Sequence, residues 1–363
     1  MIVKIKGTPG RRVPSPHIEI GPGCFLRDRM GFLARWKGAR VFVITDSNVR
    51  RLYGRRLHAD LLLGGVDAWL IDFPAGERSK NADVVHSLHT QLLSNGVRRD
   101  SVIIALGGGV VGDVAGFVAA TILRGIRYVQ VPTSLLAQVD SSVGGKVGID
   151  HPLGKNLIGA FHQPETVVID PLLLETLPDR EFTSGLAEVV KIAAALDASY
   201  FRFLERNAAR IRSRNIRTLT GMIVRSVGLK ASVVARDELE SGLRKTLNLG
   251  HTIGHALEAA SSFGMRHGEA VAMGLAAESR IARDMGLLTT ADLARLLRLM
   301  ERLGLRFSFP RLKEKQRFLS SLQSDKKSID ASPKFVLLKR MGCSVVGVDV
   351  PRPFVETILG AAR

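Results

Sequence analysis

The sequence contains little cysteine. Only Cys24 and Cys343 occur among its 363 residues, far apart and not in a Cys-x-x-Cys pair. This excludes a disulfide framework and suits a reducing compartment, and neither cysteine has the setting of a nucleophile. The opening residues, MIVKIKGTPGRR, also lack the apolar run of a secretory signal. We therefore expect a cytoplasmic protein.

Aromatic residues are also few, at 6%, although the chain is strongly basic, with 52 Lys and Arg against 34 Asp and Glu and a net charge of +18. Such a charge attracts nucleic acid, acidic membranes or small phosphorylated molecules, and the sign alone does not choose among them. Nucleic-acid binders usually concentrate basic residues with aromatics or in a known motif, whereas here arginine is scattered. We expect no nucleic-acid partner.

A membrane span is the third feature that the sequence lacks. Residues 102–123 are nearly all apolar over a sufficient length, but three consecutive glycines and Asp113 interrupt them. The glycines would break a membrane helix, and a carboxylate at mid-bilayer costs several kcal/mol. A buried strand, a glycine turn and a helix fit this segment better, so we expect no membrane partner.

Short apolar runs alternate with glycine turns and amphipathic stretches in the first half, which predicts an α/β domain around a largely parallel sheet. Residues 81–94 have helical spacing. After Pro178 the pattern changes to long segments of 3.6-residue period, so we predict an α/β domain over 1–175 and an all-α domain over 176–363. The predicted strands are 39–46, 67–74, 101–109, 126–133 and 166–171.

Three glycines, Gly107, Gly108 and Gly109, connect a predicted strand to a helix. This arrangement lets backbone N–H groups approach a pyrophosphate at a helix N-terminus, but it also suits a purely structural tight turn. Asp46 ends an earlier strand and could accept a hydrogen bond from a ribose hydroxyl. Its other interpretation is a turn residue in TDSN, and propensity does not separate the two.

Residues 130–164 are polar and rich in glycine, and they contain Asp140, Lys146, Lys155 and Asn156. The two lysines beside glycines could bind phosphate or carboxylate as point charges. The alternative is a solvated hairpin without a binding role.

The segment RKTLNLGHTIGHALE carries the strongest pattern in the second half. Arg244, Asn248, His251 and His255 are spaced i, i+4, i+7 and i+11, so we predict that they share one stripe of a helix. A cation, an amide and two imidazoles on an otherwise apolar helix favour a ligand or a metal, and a solvated polar face is the alternative. Spacing alone selects His251 with His255 as a metal pair.

Other candidates lie on predicted helices of the second half. His267 and Glu188 could supply further metal ligands. Glu188 and Lys191 are i, i+3 neighbours and share a helix face. The alternative to a site role is a simple ion pair on the surface. Lys230 occupies an apolar stripe, so either its stem reaches out to solvent or its ammonium meets a buried anion.

Taken together, these segments resemble 3-dehydroquinate synthase from about residue 40 to 345. The most specific stretches are GGGVVGDVAGFVAAT, RGIRYVQVPTSLLAQVDSSVGGKVGIDHPLGKNLIGAFHQP, LETLPDREFTSGLAEVVK, LNLGHTIGHALE and HGEAVAMG. The resemblance implies an α/β N-terminal Rossmann-like NAD-binding domain and an all-α C-terminal domain that binds a divalent metal, Zn²⁺ or Co²⁺. It also implies a small phosphorylated sugar-acid substrate and a homodimer.

The resemblance assigns roles by motif position. The metal ligands would be Glu188, His251 and His267, so that His255 would face the substrate instead of the metal. NAD contacts would come from Asp46, Asn48, Glu77, Lys80, Gly108, Gly109, Val110, Val111, Gly112, Asp113, Thr133, Ser134, Lys146, Lys155, Thr176 and Leu177. Substrate contacts would come from Arg124, Asp140, Lys146, Lys155, Asn156, Lys191, Lys230, Arg244, Asn248, His255 and Lys326.

The implied reaction explains these residue types. NAD would oxidise a secondary alcohol that the metal polarises, which acidifies the neighbouring carbon for phosphate elimination. Reduction by the same cofactor, ring opening and an intramolecular aldol step would complete the carbocycle. Another sugar-phosphate cyclase and a glycerol-dehydrogenase-like enzyme are the rivals. DSSVGGKVGID followed by GKN resembles the carboxylate-handling loop of dehydroquinate synthase, and the second rival would leave the lysines unexplained.

Overall fold

All five apolar runs of the first half form β-strands. The computed structural model describes residues 3–5, 16–26, 34–261, 265–309, 315–324 and 333–360. The chain divides into two compact units, Met1–Leu177 and Pro178–Arg363. The strands of the first unit are β1 Val3–Ile5, β2 His17–Ile20, β3 Arg40–Asp46, β4 Asp67–Phe73, β5 Val102–Gly107, β6 Arg127–Pro132, β7 Lys146–His151, β8 Gly154–Phe161 and β9 Thr166–Ile169.

Seven of these strands form one sheet in the order β1-β2-β9-β6-β5-β3-β4. The pair β1 and β2 is antiparallel, and every other pairing in the sheet is parallel. The sheet has an apolar core on each face, because β3 directs Val41 and Val43 to one cluster and Phe42 and Ile44 to the other. The predicted α/β fold is therefore confirmed, with β1 and β2 as additions.

Three longer helices cover the sheet: α1 (Arg55–Leu63), α2 (Ala82–Ser94) and α3 (Gly109–Thr121). Helix α2 corresponds to the helix predicted over 81–94, and Asn81 caps it by accepting from the Val84 N–H. The apolar stretch 102–123 forms β5, the glycine turn and α3, as predicted. Strands β7 and β8 pair with each other as an antiparallel hairpin.

The second unit is mainly helical, as predicted. Its helices are α4 Asp179–Leu196, α5 Ala198–Arg212, α6 Ile216–Arg236, α7 His251–Ala260, α8 His267–Asp284, α9 Thr290–Arg302, α10 Lys315–Ser324 and α11 Arg352–Gly360. One hairpin, β10 (Lys334–Arg340) with β11 (Cys343–Asp349), departs from the all-α expectation. It turns at Gly342, whose φ of +81° favours glycine.

Among the described residues, one helix, α6, is long and apolar enough by composition to cross a membrane. Half of its apolar window is buried inside the protein, and core helices pass the same test. This length and hydropathy are therefore weak evidence for a span.

Neither cysteine is paired. Cys24 is buried and Cys343 is partly exposed. Burial raises the pKa of the Cys24 thiol to about 12, and the nearby Asp170 and Glu19 carboxylates act in the same direction. A thiol with this pKa supplies almost no thiolate at neutral pH, which agrees with the prediction that it is not a nucleophile.

Candidate metal and substrate site

Helix α4 carries a buried ion pair through the core of the second unit. Almost every side chain from Phe182 to Ala195 is buried, and Glu188 and Lys191 are 0% and 2% exposed. The Lys191 ammonium contacts Glu188 Oε2. The surface-pair alternative for these two residues is therefore wrong. Two charges withdrawn from water in this way need further partners to offset the cost of desolvation.

Two histidines supply those partners at the other oxygen of Glu188. His251 Nε2 lies 3.6 Å from Glu188 Oε1, and His267 Nε2 lies 3.4 Å from the same atom. Each histidine is the first residue of its helix, α7 or α8. The candidate donor atoms of the three residues all lie within 4.8 Å of one another. The structure thus brings together the three residues that the family resemblance implied as metal ligands.

Glycine contacts allow these helices to approach so closely. A Cβ at Gly268, next to His267, would lie only 2.0 Å from the Ser184 carbonyl oxygen of α4. Ser184 is one turn before Glu188, so the start of α8 lies directly against the helix that carries the carboxylate. A larger residue at position 268 would separate His267 from Glu188.

The second nitrogen of each histidine has an acceptor. His251 Nδ1 lies 3.2 Å from the Leu249 carbonyl oxygen, and His267 Nδ1 lies 3.5 Å from Glu258 Oε2. A proton on Nδ1 satisfies each of these contacts, and Nε2 is then the nitrogen of each ring that faces Glu188. This is the usual arrangement for histidines that bind a metal, in which an outer acceptor fixes the tautomer and the ring orientation.

Charge in the cluster suits a cation. Burial alone would raise the pKa of Glu188, but Lys191, His267 and His251 hold it well below its usual range, so the group is a carboxylate. Burial and Lys191 lower the pKa of His251, which keeps that ring neutral. Burial also acts to lower the pKa of His267, but Glu188 and Glu258 together raise it to about 10. With this pKa, the His267 ring carries a second proton between the two carboxylates. A divalent cation bound at His267 Nε2 would replace that proton.

The donor set therefore fits a divalent metal. Apart from the contacts with Lys191 and the two histidines, neither buried oxygen of Glu188 has a hydrogen-bond partner in the described part of the chain. One carboxylate and two imidazoles are ligands that zinc and cobalt accept, and three protein ligands leave a coordination position for substrate.

His255 lies beside His251, as the spacing predicted, but outside the group of Glu188, His251 and His267. Its ring centroid is 5.2 Å from that of His251 and 6.2 Å from that of His267, and the residue is exposed. Among the described residues, His255 forms a possible ligand group only with Glu258 and His267. The pairing of His251 with His255 as metal ligands is not favoured by this geometry.

The predicted continuous stripe through Arg244, Asn248, His251 and His255 is wrong. Arg244 and Asn248 belong to a short 3₁₀ segment, Leu243–Asn248, and Leu249 then adopts an extended conformation. Gly250 follows with a φ of +79°, and α7 begins only at His251. A glycine in the left-handed region ends the turn, so the helical register does not continue across it.

Residues of the preceding loop, and not neighbours on a helix, hold the Arg244 and Asn248 side chains. The buried Arg244 side chain donates to the Glu238 carbonyl oxygen over 2.6 Å, and Asn248 Nδ2 donates to Glu240 Oε1 over 2.8 Å. Lys230 on α6 is 6% exposed. Its ammonium is therefore largely withdrawn from water, which favours the buried-anion alternative over a stem that reaches solvent.

A second polar cluster lies in the first unit. Lys80 is 5% exposed and donates to Asp113 Oδ2 over 2.6 Å and to Asn156 Oδ1. Lys155 Nζ lies 3.5 Å from Glu77 Oε1. Burial acts to lower the pKa of Lys80, but Asp113 outweighs it and raises that pKa, so the lysine is a cation. The cluster connects α3, the turn before α2, and the β7–β8 hairpin.

Sequence models of two families cover most of both units. The one described as 3-dehydroquinate synthase N-terminal matches residues 70–184, and the one described as 3-dehydroquinate synthase C-terminal matches residues 185–328. The chain belongs to the 3-dehydroquinate synthase family. It is therefore an enzyme of the carbon–oxygen lyase class.

Individual relatives agree with this family assignment. A 3-dehydroquinate synthase from Pelobacter propionicus is 48% identical over 86% of this chain and 88% of its own length. The 2-epi-5-epi-valiolone synthase of Streptomyces hygroscopicus, solved with NAD⁺ and Zn²⁺, is 29% identical and covers 98% of both chains with a TM-score of 0.89. A 2-deoxy-scyllo-inosose synthase, solved with carbaglucose-6-phosphate, NAD⁺ and Co²⁺, is 26% identical and covers 99% of both chains with a TM-score of 0.88.

The family resemblance also implied an NAD site that includes the glycine turn at residues 108–113. Strand β5 ends at Gly107, and α3 begins at Gly109 with Gly108 as its extended N-cap. A Cβ at Gly108 would lie 3.3 Å from Ser134 Oγ, so the loop leaves little room for a side chain on that side. The glycine turn therefore places backbone without side chains at the start of α3. A pyrophosphate would accept hydrogen bonds from N–H groups at such a position. Val110, Val111 and Gly112 continue this first turn of α3.

Other predicted nucleotide residues make local contacts. Asp46 Oδ1 accepts from the backbone N–H groups of Asn48 and Val49, so the turn interpretation holds for that oxygen. The Thr133 N–H donates to the Gly107 carbonyl, and Ser134 Oγ accepts from the Ala137 N–H. Thr176 Oγ1 shares a 2.6 Å hydrogen bond with Tyr53, just before Leu177.

Two predicted substrate residues have unusual backbone conformations. Arg124 has a φ of +67° and Asn156 a φ of +56°, a region that few residues other than glycine adopt. Such conformations cost free energy and occur often at ligand sites. Asp140 lies in a π-turn, Ala137–Ser141, and Lys146 is the first residue of β7. Lys326 lies outside the described residues.

Sequence reasoning missed two buried carboxylates near the histidines. Glu258 lies three residues after His255 on α7, and Glu278 lies in an apolar stretch of α8. Both are almost fully buried. A glutamate inside an apolar helix pattern is the signal that could have identified them, because an isolated charge in a core needs a partner.

Proposed function

We propose that the enzyme converts 3-deoxy-D-arabino-heptulosonate 7-phosphate into 3-dehydroquinate and phosphate. The observation that carries this proposal is the convergence of Glu188, His251 and His267 in a chain of the 3-dehydroquinate synthase family. These three residues would hold one Zn²⁺ or Co²⁺ ion. When bound, the metal would polarise the substrate hydroxyl, and NAD would supply a reversible hydride acceptor.

Residues 1–175 would form the NAD-binding domain, and residues 176–363 the metal- and substrate-binding domain. The fit to NAD is supported by the glycine turn at the start of α3 and by the Lys80 and Asp113 pair beside it. The NAD contacts would be those of Asp46, Asn48, Glu77, Lys80, residues 108–113, Thr133, Ser134, Lys146, Lys155, Thr176 and Leu177.

The substrate residues have the charge that a carboxylate and a phosphate require. Lysine and arginine side chains would hold both anionic groups, and arginine can do so with two parallel hydrogen bonds. This orientation would bring the substrate's own phosphate near the proton that must leave before elimination. The cationic contacts would be Arg124, Lys146, Lys155, Lys191, Lys230, Arg244 and Lys326, and the polar contacts Asp140, Asn156, Asn248 and His255.

We also propose that the enzyme is a cytoplasmic homodimer. The β7–β8 hairpin supports self-association, because Leu153 is 85% exposed and Leu157 is 63% exposed, with Ile158 and Phe161 also exposed. Several exposed large apolar side chains on one hairpin are consistent with an interaction surface. Light scattering after size-exclusion chromatography would test it, with Leu157→Lys expected to shift a dimer toward monomer.

The decisive assay for the activity is phosphate release. We expect release from 3-deoxy-D-arabino-heptulosonate 7-phosphate in the presence of NAD and Zn²⁺ or Co²⁺, and loss of release when the metal is chelated. No release from this substrate under those conditions would refute the proposed function.

A second substrate separates the proposal from another sugar-phosphate cyclase. Glucose 6-phosphate carries a phosphate but no carboxylate. The lysine and arginine side chains proposed to bind the carboxylate would therefore have no anion to bind. We expect turnover of the sugar acid phosphate and none of glucose 6-phosphate. The reverse preference would assign the chain to a different cyclase reaction.

A further inference from the structure

Glu278 is a wholly buried carboxylate that the proposed chemistry does not use. It lies on α8, eleven residues after His267, in a segment whose neighbours are mostly alanine and leucine. No basic side chain of the described residues forms an ion pair with it. Its partners are backbone groups: Oε2 accepts from the Gly250 N–H over 2.6 Å, and Oε1 accepts from the Ile253 N–H over 3.0 Å.

These two N–H groups lie on either side of His251. Helix α7 begins at His251, and the first N–H groups of a helix have no acceptor within the helix itself. Gly250, the N-cap residue, has no side chain that could accept from them. Glu278 therefore supplies from another helix the acceptors that a capping side chain would normally provide.

Close backbone packing fixes the same junction. A Cβ at Gly274, one turn before Glu278, would lie 2.0 Å from the Gly250 carbonyl oxygen, and a Cβ at Gly250 would lie 2.9 Å from the Leu275 nitrogen. The start of α7 is thus held on α8 by carboxylate hydrogen bonds and by glycine contacts. Helix α8 thereby carries His267 and also the groups that fix the position of His251.

We propose that Glu278 is a positioning residue of the metal centre, which fixes the start of α7 so that His251 Nε2 and His267 Nε2 face the same oxygen of Glu188. This inference rests on the metal site of the proposed function. It adds a residue that contacts neither the metal nor the substrate and acts through the backbone of a ligand.

The energetic cost of Glu278 supports a role beyond packing. Burial raises the pKa of Glu278 to about 8, although the N–H groups of Ile253, Gly250 and Thr252 act in the opposite direction. A carboxyl group at this position is therefore poorly solvated even with its hydrogen bonds. An apolar residue would fill the space without that cost, but it would leave the N–H groups of α7 without acceptors.

Glu278→Gln tests the proposal with little change in shape. The amide keeps one acceptor oxygen, but its NH₂ group must face a backbone N–H, so one of the two anchoring hydrogen bonds is lost. We expect Zn²⁺ affinity, measured in the full-length enzyme by competition with a chromophoric chelator, to fall about 10-fold to 100-fold, as for outer partners of metal ligands. The visible absorption bands of the Co²⁺-loaded enzyme should also shift, because the position of His251 changes.

Ser279→Ala is the matched control. Ser279 is the next residue on α8, is equally buried, and its hydroxyl has no hydrogen-bond partner among the described residues. We expect its Zn²⁺ affinity and Co²⁺ spectrum to equal those of the wild type. Glu278→Asp keeps both oxygens and shortens the side chain by one methylene, so an intermediate loss of affinity is expected.

The outcomes distinguish this inference from the proposed function. Failure of the wild-type enzyme to bind Zn²⁺ would overturn the proposed metal site, and the role of Glu278 with it. Normal binding by the wild type together with unchanged affinity and spectrum in folded Glu278→Gln would overturn only the positioning role. If Glu278→Gln does not fold, the Glu278→Asp measurement decides, and failure of both variants to fold would show a purely structural role.

Discussion

The two polar clusters of this enzyme are built in different ways. Around Glu188, every candidate ligand lies on a helix, the carboxylate is fully buried, and each histidine has a second contact that fixes its ring. Around Lys80, the partners come from helix α3 and from the β7–β8 hairpin, and several side chains are partly exposed. Helices locate a few atoms accurately, which a metal ion demands. The partly exposed side chains of the Lys80 cluster instead leave polar groups accessible, which suits a larger nucleotide or sugar phosphate.

The largest expected effect separates His267 from His255 within the first cluster. His267→Ala removes a proposed ligand, so the purified enzyme should retain no metal and lose activity by about 10³-fold or more. His255→Ala should retain the metal and lose activity by roughly 100-fold, because His255 would act on the substrate. Metal content by atomic absorption and the phosphate-release assay measure both. Equal metal loss in the two variants would overturn the ligand assignment.

A smaller effect should follow from the outer contact of His267. Glu258→Gln keeps the size of the side chain but removes the charge that faces His267 Nδ1. We expect Zn²⁺ affinity to fall about 10-fold, with the fold retained. Glu205→Gln, on α5 and paired with Arg295, is a control that should leave Zn²⁺ affinity unchanged. An unaltered affinity in Glu258→Gln would show that the backbone alone orients His267.

The smallest expected effect concerns the second cluster. Lys80→Met leaves Asp113 without its ammonium partner, so the free energy of unfolding should fall by about 2 kcal/mol and NAD affinity should decrease. Zn²⁺ affinity should not change if the two clusters are independent. Urea denaturation and NAD titration measure the first two quantities.

Lys155→Met is the matched control for stability. The Lys155 and Glu77 side chains are 21% and 45% exposed, and an ion pair this exposed contributes little in water. We expect its free energy of unfolding to change by less than about 1 kcal/mol. A loss as large as that of Lys80→Met would contradict the distinction between a buried pair and a surface pair.

Prediction succeeded where neighbouring residues determine the outcome. Five of the seven strands of the sheet correspond to the five apolar runs, and α2 follows from its periodic valines and leucines. Prediction failed at Gly250, where one glycine with positive φ interrupts a helical spacing that looked continuous. The hairpin of β10 and β11 was also missed, because a short apolar run does not distinguish a strand from a helix.

The proposed metal ligands show the limit of spacing more directly. Spacing on one helix selected His251 and His255, because i, i+4 neighbours share a face. The resemblance to the family selected Glu188, His251 and His267, and these residues come from three different helices. Glu258 and Glu278 were not predicted by either route, because their partners are far away in the chain.

The sequence by itself determined the α/β and helical halves, the glycine turn and the family, because apolar periodicity, turn residues and motifs are local properties. The tertiary structure alone decided which nitrogen of each histidine faces Glu188, that Lys191 is buried, and that Glu278 supports the start of α7. These properties depend on how α4, α7 and α8 pack against one another. Helix packing sets distances between residues far apart in sequence, and no local pattern contains that information.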